Sequence, residues 1–197
     1  MQSTYDRAQF LRRGATGGLA LVGGSSVLAM VSGPALAQSG APSDTDIAKL
    51  AATAELLAID FYTHSITSRK FKGDDLKYLH QARKSEQEHY AALAGVIGSG
   101  APKGLKFKYP AHTFASRKSI AATGVALETA FVGAYLGAVT ALSSNELKGV
   151  AAQIATSEAS HLSVFSDLAS GKPILPSFPK AFTAAQATKA VTPFIAG

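Results

Sequence analysis

Apolar positions recur at alternating steps of three and four along four separate stretches of the chain, the signature of amphipathic helices packed against one another. Leu79, Ala82, Glu86, His89, Leu93 and Val96 form one such stripe and predict a helix over about 75–97. Leu50 or Ala51, Glu55, Ala58, Ile59 and Tyr62 predict another over about 46–69. Ala121, Val125, Glu128, Val132, Tyr135 and Val139 predict a third over about 117–142. The fourth, over about 145–170, carries Leu147, Ala151, Ile154, Glu158, His161 and Phe165.

The residues between the stripes say how the helices connect. Asp44 or Thr45 is expected to cap the first helix, while Lys72-Gly73-Asp74 reads as a stop followed by a start, Gly73 ending one helix and Asp74 capping the next. So short a turn makes the first two helices antiparallel neighbours. Ser144 suits the start of the fourth helix, and Gly171-Lys172-Pro173 its end. Residues 98–116, with Gly98, Gly100, Pro102, Gly104 and Pro110, are too many for an ordinary helix–helix turn. They suffice to run the length of a bundle and start the third helix parallel to the second. The expected fold is all-α: an up-down four-helix bundle over 46–170 with a long crossover between helices 2 and 3. A polar linker, 38–45, precedes it. A proline-containing tail, 171–197, follows, with a short helix near 183–191 lying along the bundle surface.

Residues 1–37 read as an address rather than as part of the fold. Arg12-Arg13 precede a mildly apolar run from Ala15 to Val31 diluted by Gly17, Gly18, Gly23 and Gly24. Ala35-Leu36-Ala37 then offers a small-x-small cleavage site before Gln38. The run is short and glycine-rich for a membrane span. Paired arginines with weak hydrophobicity resemble a twin-arginine export signal, although Ala15 and Thr16 stand where that signal usually has Phe and Leu. The expectation is export to the periplasm, cleavage after Ala37, and no stable membrane insertion afterwards.

Composition narrows the chemistry. With no cysteine, thiolate metal sites, iron–sulfur clusters and disulfides are excluded. Cleavage after Ala37 would also remove Met1 and Met30, the only methionines, so no methionine-ligated haem is expected. The net charge of +6 comes from scattered Lys and Arg without interleaved aromatics, which argues against a nucleic-acid partner.

What remains is a repeated constellation. Glu55 and Tyr62 stand seven apart on the first helix, as do Glu128 and Tyr135 on the third. Each of these helices is followed by one bearing Ser-Glu-x-x-His: Ser85-Glu86-Gln87-Glu88-His89 and Ser157-Glu158-Ala159-Ser160-His161. Four of the chain's six glutamates and two of its five histidines thereby face inward at equivalent positions. Four carboxylates in a dry core repel one another and take up protons unless cations neutralise them. Carboxylate and imidazole together suit two ions of iron or manganese. In this arrangement Glu55 is terminal beside His89, Glu128 is terminal beside His161, and Glu86 and Glu158 bridge. Tyr62 and Tyr135 are expected to be core aromatics whose hydroxyls reach a partner, near enough to support the ligands. Asp60, Asp74, Asp75, Glu88, Glu146 and Asp167 read as solvated or capping charges. His64, His80 and His112 read as surface residues without a partner.

This pattern resembles the ferritin-like superfamily of di-iron and di-manganese carboxylate bundles. Leu127-Glu128-Thr129-Ala130-Phe131-Val132-Gly133-Ala134-Tyr135-Leu136-Gly137-Ala138, and Phe107-Lys108-Tyr109-Pro110 upstream, resemble its exported, desiccation-related members. The resemblance implies dioxygen or hydrogen peroxide as substrate in ferroxidase or peroxide-scavenging chemistry. Its alternatives are a non-catalytic envelope stress protein and a manganese catalase, for which the chain is short. A homo-oligomer is compatible with it.

Overall fold

A computed structural model describes residues 41–173 and 176–196. The proposed signal, its cleavage site and most of the linker lie outside them. Four long helices, α1 (Asp44–Thr67), α2 (Gly73–Ile97), α3 (Arg117–Ala141) and α4 (Asn145–Ser170), are followed by a short α5 (Ala184–Val191). There is no strand among the described residues, only an isolated antiparallel bridge between Phe107 and Ile195. α1 packs mainly against α2, and α3 against α4, so the bundle is two helical hairpins laid together.

The starts of the helices show where local chemistry acts. α1 begins two residues earlier than its stripe suggests, inside the expected linker, because Ser43 caps it. The Ser43 hydroxyl accepts from Asp46 N–H while the Asp46 carboxylate accepts from Ser43 N–H, a reciprocal capping box. Asp44 does other work: its carboxylate accepts from the N–H groups of Ser143 and Ser144 at 2.7 and 2.9 Å, tying the α3–α4 turn to the start of α1. The stop-and-start reading of Lys72-Gly73-Asp74 also needs correction. α1 ends at Thr67, Ser68 donates back to His64, and Gly73, at φ 57°, opens α2. Asp74 lies inside the first turn, where its negative charge suits the helix dipole, and pairs with Lys77 instead of capping. Ser144 caps α4 and a left-handed Gly171 ends it, both as expected.

The crossover is fastened at several points. Tyr90 donates to the Pro102 carbonyl at 2.7 Å, and Tyr109 donates to the Asp60 carboxylate at 2.7 Å. Asp60 therefore holds the crossover to α1 rather than facing water alone. His64 also has partners, Asp60 at 3.6 Å and the rings of Tyr109 and Phe114, contrary to its reading as a lone surface residue. Asp75 likewise pairs with Arg117, joining α2 to the start of α3. The tail returns to the crossover: Lys108 donates to the Phe194 carbonyl and Ala196 to that of Lys106.

α3 is long and apolar enough to cross a membrane by length and composition, but it packs against α4, α5 and α1 and buries Glu128 near its middle. Its glycines admit neighbours. Gly124 faces the Phe165 ring, while Gly133 and Gly137 form a notch that seats Phe182, whose N–H donates to the Gly133 carbonyl at 2.8 Å. α5 then buries Ala187 and Val191 against α3 and α1.

Candidate metal centre

Each long helix supplies part of one buried cluster. Glu86, Glu158, Glu128 and Glu55 are among the most deeply buried residues of the chain, and His161 is only 5% exposed. Only His89, with 15% of its side chain accessible, reaches toward solvent. Ordinary helical turns place Glu86 beside His89 and Glu158 beside His161; packing the two hairpins brings all six residues together.

The two shared carboxylates divide their oxygens between the histidines. His89 Nδ1 lies 3.3 Å from Glu86 Oε2 and 3.2 Å from Glu158 Oε1. His161 Nδ1 lies 2.7 Å from Glu86 Oε1 and 3.4 Å from Glu158 Oε2. Glu55 Oε2 completes the first set at 3.4 Å from His89 Nδ1. Two groups result, Glu55, Glu86, His89 and Glu158, and Glu86, Glu128, Glu158 and His161. Within each, the candidate ligand atoms lie no more than 4.8 Å apart, close enough to hold a metal ion.

Unmatched polar atoms test whether a cation fits. Glu55 Oε2, Glu86 Oε1, Glu128 Oε2, both Glu158 oxygens and His161 Nδ1 are buried without a hydrogen bond. The close approach of His161 Nδ1 to Glu86 Oε1 lacks hydrogen-bonding geometry. Buried polar atoms left unpaired cost roughly 1–3 kcal/mol each, more if charged. Such a concentration of acceptors is what a multivalent cation would neutralise. The donor set therefore fits metal ions.

Protonation shows the same demand for positive charge. Burial holds the carboxyls of Glu55 and Glu128 well above the usual range, and repulsion from Glu158 and Glu86 adds to it. Burial would raise Glu86 too, but contacts with His161 and His89 outweigh it and bring the group down to about 2. The histidines respond in the opposite sense. Burial disfavours their charged forms, yet the surrounding carboxylates push His89 up to about 12 and His161 up to about 9. Without metal, protons supply part of the missing positive charge.

The tyrosines cross over. Tyr62 lies on the same helix as Glu55, but its hydroxyl donates to Glu128 Oε1 at 2.7 Å; Tyr135, on the helix of Glu128, donates to Glu55 Oε1. Each terminal glutamate thus has one oxygen held by the opposite hairpin and the other free of hydrogen bonds. Burial raises both phenols well above their usual range, with the adjacent glutamate charges adding to the effect, so they remain donors.

Tyr78 is a further aromatic neighbour, absent from the stripe assigned to α2. Its ring meets His161 edge-on at 6.1 Å and its hydroxyl is buried without a hydrogen bond. The signal was present, since 78, 82 and 86 run down one face of α2. His80 and His112 lie outside the cluster and are exposed. A family model described as a ferritin-like domain matches residues 43–171. No curated protein matches the chain.

Proposed function

The chain belongs to the ferritin-like domain family, and on that footing we propose that it is an exported protein carrying two ions of iron or manganese. Glu55, Glu86, His89 and Glu158 would hold one ion, and Glu86, Glu128, Glu158 and His161 the other. The observation that carries this reading is the sharing of Glu86 and Glu158 between two ligand groups, each giving one oxygen toward either histidine. Bound there, the metal pair would supply redox chemistry toward dioxygen or hydrogen peroxide, as a ferroxidase or peroxide scavenger.

The chain's own residues set the conditions for that chemistry. Tyr62 and Tyr135 each orient a terminal carboxylate by holding one oxygen, leaving the second for the ion. The surrounding apolar core excludes bulk water and strengthens every electrostatic contact inside it. His89, the most accessible of the six, marks the side nearest solvent. The arginine pair and small-residue cleavage site support export by the twin-arginine route, in which a protein can fold around its metal before crossing the membrane. The burial of the other five ligands favours a second reading, a non-catalytic stress protein whose metal only stabilises the bundle.

Elemental analysis of protein purified from its native compartment, beside a Glu86→Ala/Glu158→Ala variant, tests the site. The expected result is roughly two iron or manganese ions per chain, lost in the variant. No metal in a folded wild-type protein refutes the proposal. Metal without dioxygen or peroxide turnover selects the structural reading.

A further inference from the structure

Charge is sorted between the bundle and the layer that covers one side of it. Every Asp and Glu of residues 41–197 lies on one of the four long helices; the crossover and the tail have none. The crossover instead carries Lys103, Lys106 and Lys108, and the tail Lys172, Lys180 and Lys189. All six are exposed, and none makes an ion pair among the described residues. On the helices, by contrast, Lys77 pairs with Asp74, Lys84 with Glu88 and Arg117 with Asp75.

The two basic segments share a side of the molecule. Tyr109 fastens the crossover to Asp60 of α1, and α5 packs on α3 and α1. The bridge between Phe107 and Ile195 joins the two segments edge to edge. Ahead of α5 the tail is held at two points. The Ser163 hydroxyl donates to the Pro173 carbonyl at 2.8 Å, and Phe182 sits in the glycine notch of α3. Between these ties, residues 176–181 are all exposed. Phe178 is 94% accessible, the one exposed large hydrophobic side chain among the described residues. Pro179 restricts Phe178 to extended backbone, and neither Pro176 nor Pro179 offers an N–H to secondary structure. Lys180 follows Phe178 by two residues and Lys172 precedes it by six.

We infer that this layer is a docking surface for an anionic lipid bilayer, its lysines against the headgroups and the Phe178 ring at the boundary of the acyl chains. Unpaired lysines spread over one side suit a surface carrying many negative charges, and each contributes roughly fivefold to binding at an anionic membrane. A soluble polyanion would satisfy the lysines but leave Phe178 in water. A bilayer takes up both, because apolar rings among basic residues suit the interface between headgroups and acyl chains. The attachment is peripheral, and salt weakens it by screening the lysine charges. It is independent of the metal centre, whose ligands lie inside the bundle.

Sedimentation with lipid vesicles tests the inference. Mature protein starting at Gln38 is used, so that the apolar run from Ala15 to Val31 cannot itself enter the lipid. It should bind phosphatidylcholine–phosphatidylglycerol vesicles, leave pure phosphatidylcholine vesicles alone, and be released by high salt. Lys172→Ala/Lys180→Ala should weaken binding by roughly 25-fold. Phe178→Ser should weaken it several-fold and leave its salt dependence unchanged. Lys77→Ala/Lys84→Ala, on α2, should leave binding as it was. Failure to bind the anionic vesicles overturns the inference. An equal loss in the α2 variant also overturns it, by showing adsorption through any lysine. Full binding by Phe178→Ser refutes entry of the ring into the bilayer. Self-association that Phe178→Ser abolishes, without vesicle binding, assigns the ring to a second copy of the chain and overturns the lipid assignment.

Discussion

Gly137→Ala sets two opposing magnitudes against each other. Replacing glycine by alanine inside a helix ordinarily stabilises by about 1 kcal/mol, through lower backbone entropy in the unfolded chain and better helix propensity. At Gly137, however, a Cβ would overlap the Phe182 carbonyl oxygen and come within 2.8 Å of its carbonyl carbon. Backbone cannot swing away as a side-chain end can. The tail would have to lift, weakening the Phe182–Gly133 hydrogen bond and the packing of Ala187 and Val191. Losing one backbone hydrogen bond costs roughly 0.5–1.5 kcal/mol, and partial exposure of the two apolar side chains costs about 1–3 kcal/mol more. The sum exceeds the propensity gain, so a net destabilisation of about 1–3 kcal/mol is expected. Gly149→Ala is the control: Gly149 lies on the exposed face of α4 with nothing within 4 Å of a new Cβ. That variant should gain up to about 1 kcal/mol. Urea denaturation measures both, and limited proteolysis between α4 and α5 reports whether the tail has lifted. If Gly137→Ala is as stabilising as Gly149→Ala, the docking of Phe182 in the glycine notch is refuted.

Two further substitutions probe the interior. Tyr62→Phe and Tyr135→Phe each remove the hydroxyl held by a terminal glutamate and should destabilise metal-free protein by roughly 1–3 kcal/mol, while both ions are retained because every ligand remains. Unchanged denaturation midpoints for both would show that the crossed hydrogen bonds contribute nothing. Gly124→Ala would place a Cβ 2.6 Å from the Phe165 ring, which is wedged between Phe61 and Tyr62 and cannot rotate freely. Overpacking should cost about 1–3 kcal/mol; a rise in melting temperature would contradict that packing.

The helical periodicity of the sequence was enough to place four helices and to pick out Glu55, Glu86, His89, Glu128, Glu158 and His161 as inward-facing, because residues three, four and seven apart share one side of a helix whatever surrounds it. The duplication of Glu-x-x-His and the preceding glutamate also revealed that the cluster has two halves. Periodicity within a helix carries no information about rotation and register between helices. Tyr62 and Tyr135 were readable as core aromatics, but that each reaches the glutamate of the opposite hairpin depends on how the hairpins pack. Local alternatives are equally hard to rank from sequence. Ser43, Asp44 and Thr45 all suit a helix start, and the choice fell to Ser43 because Asp46 reciprocates while Asp44 is engaged by the α3–α4 turn. A small cavity beside Tyr135 is likewise a property of the assembled bundle. The sequence already held Ala134 where its repeat has Phe61, but whether that missing volume closes up or stays open is decided by the helices and tail that meet around it.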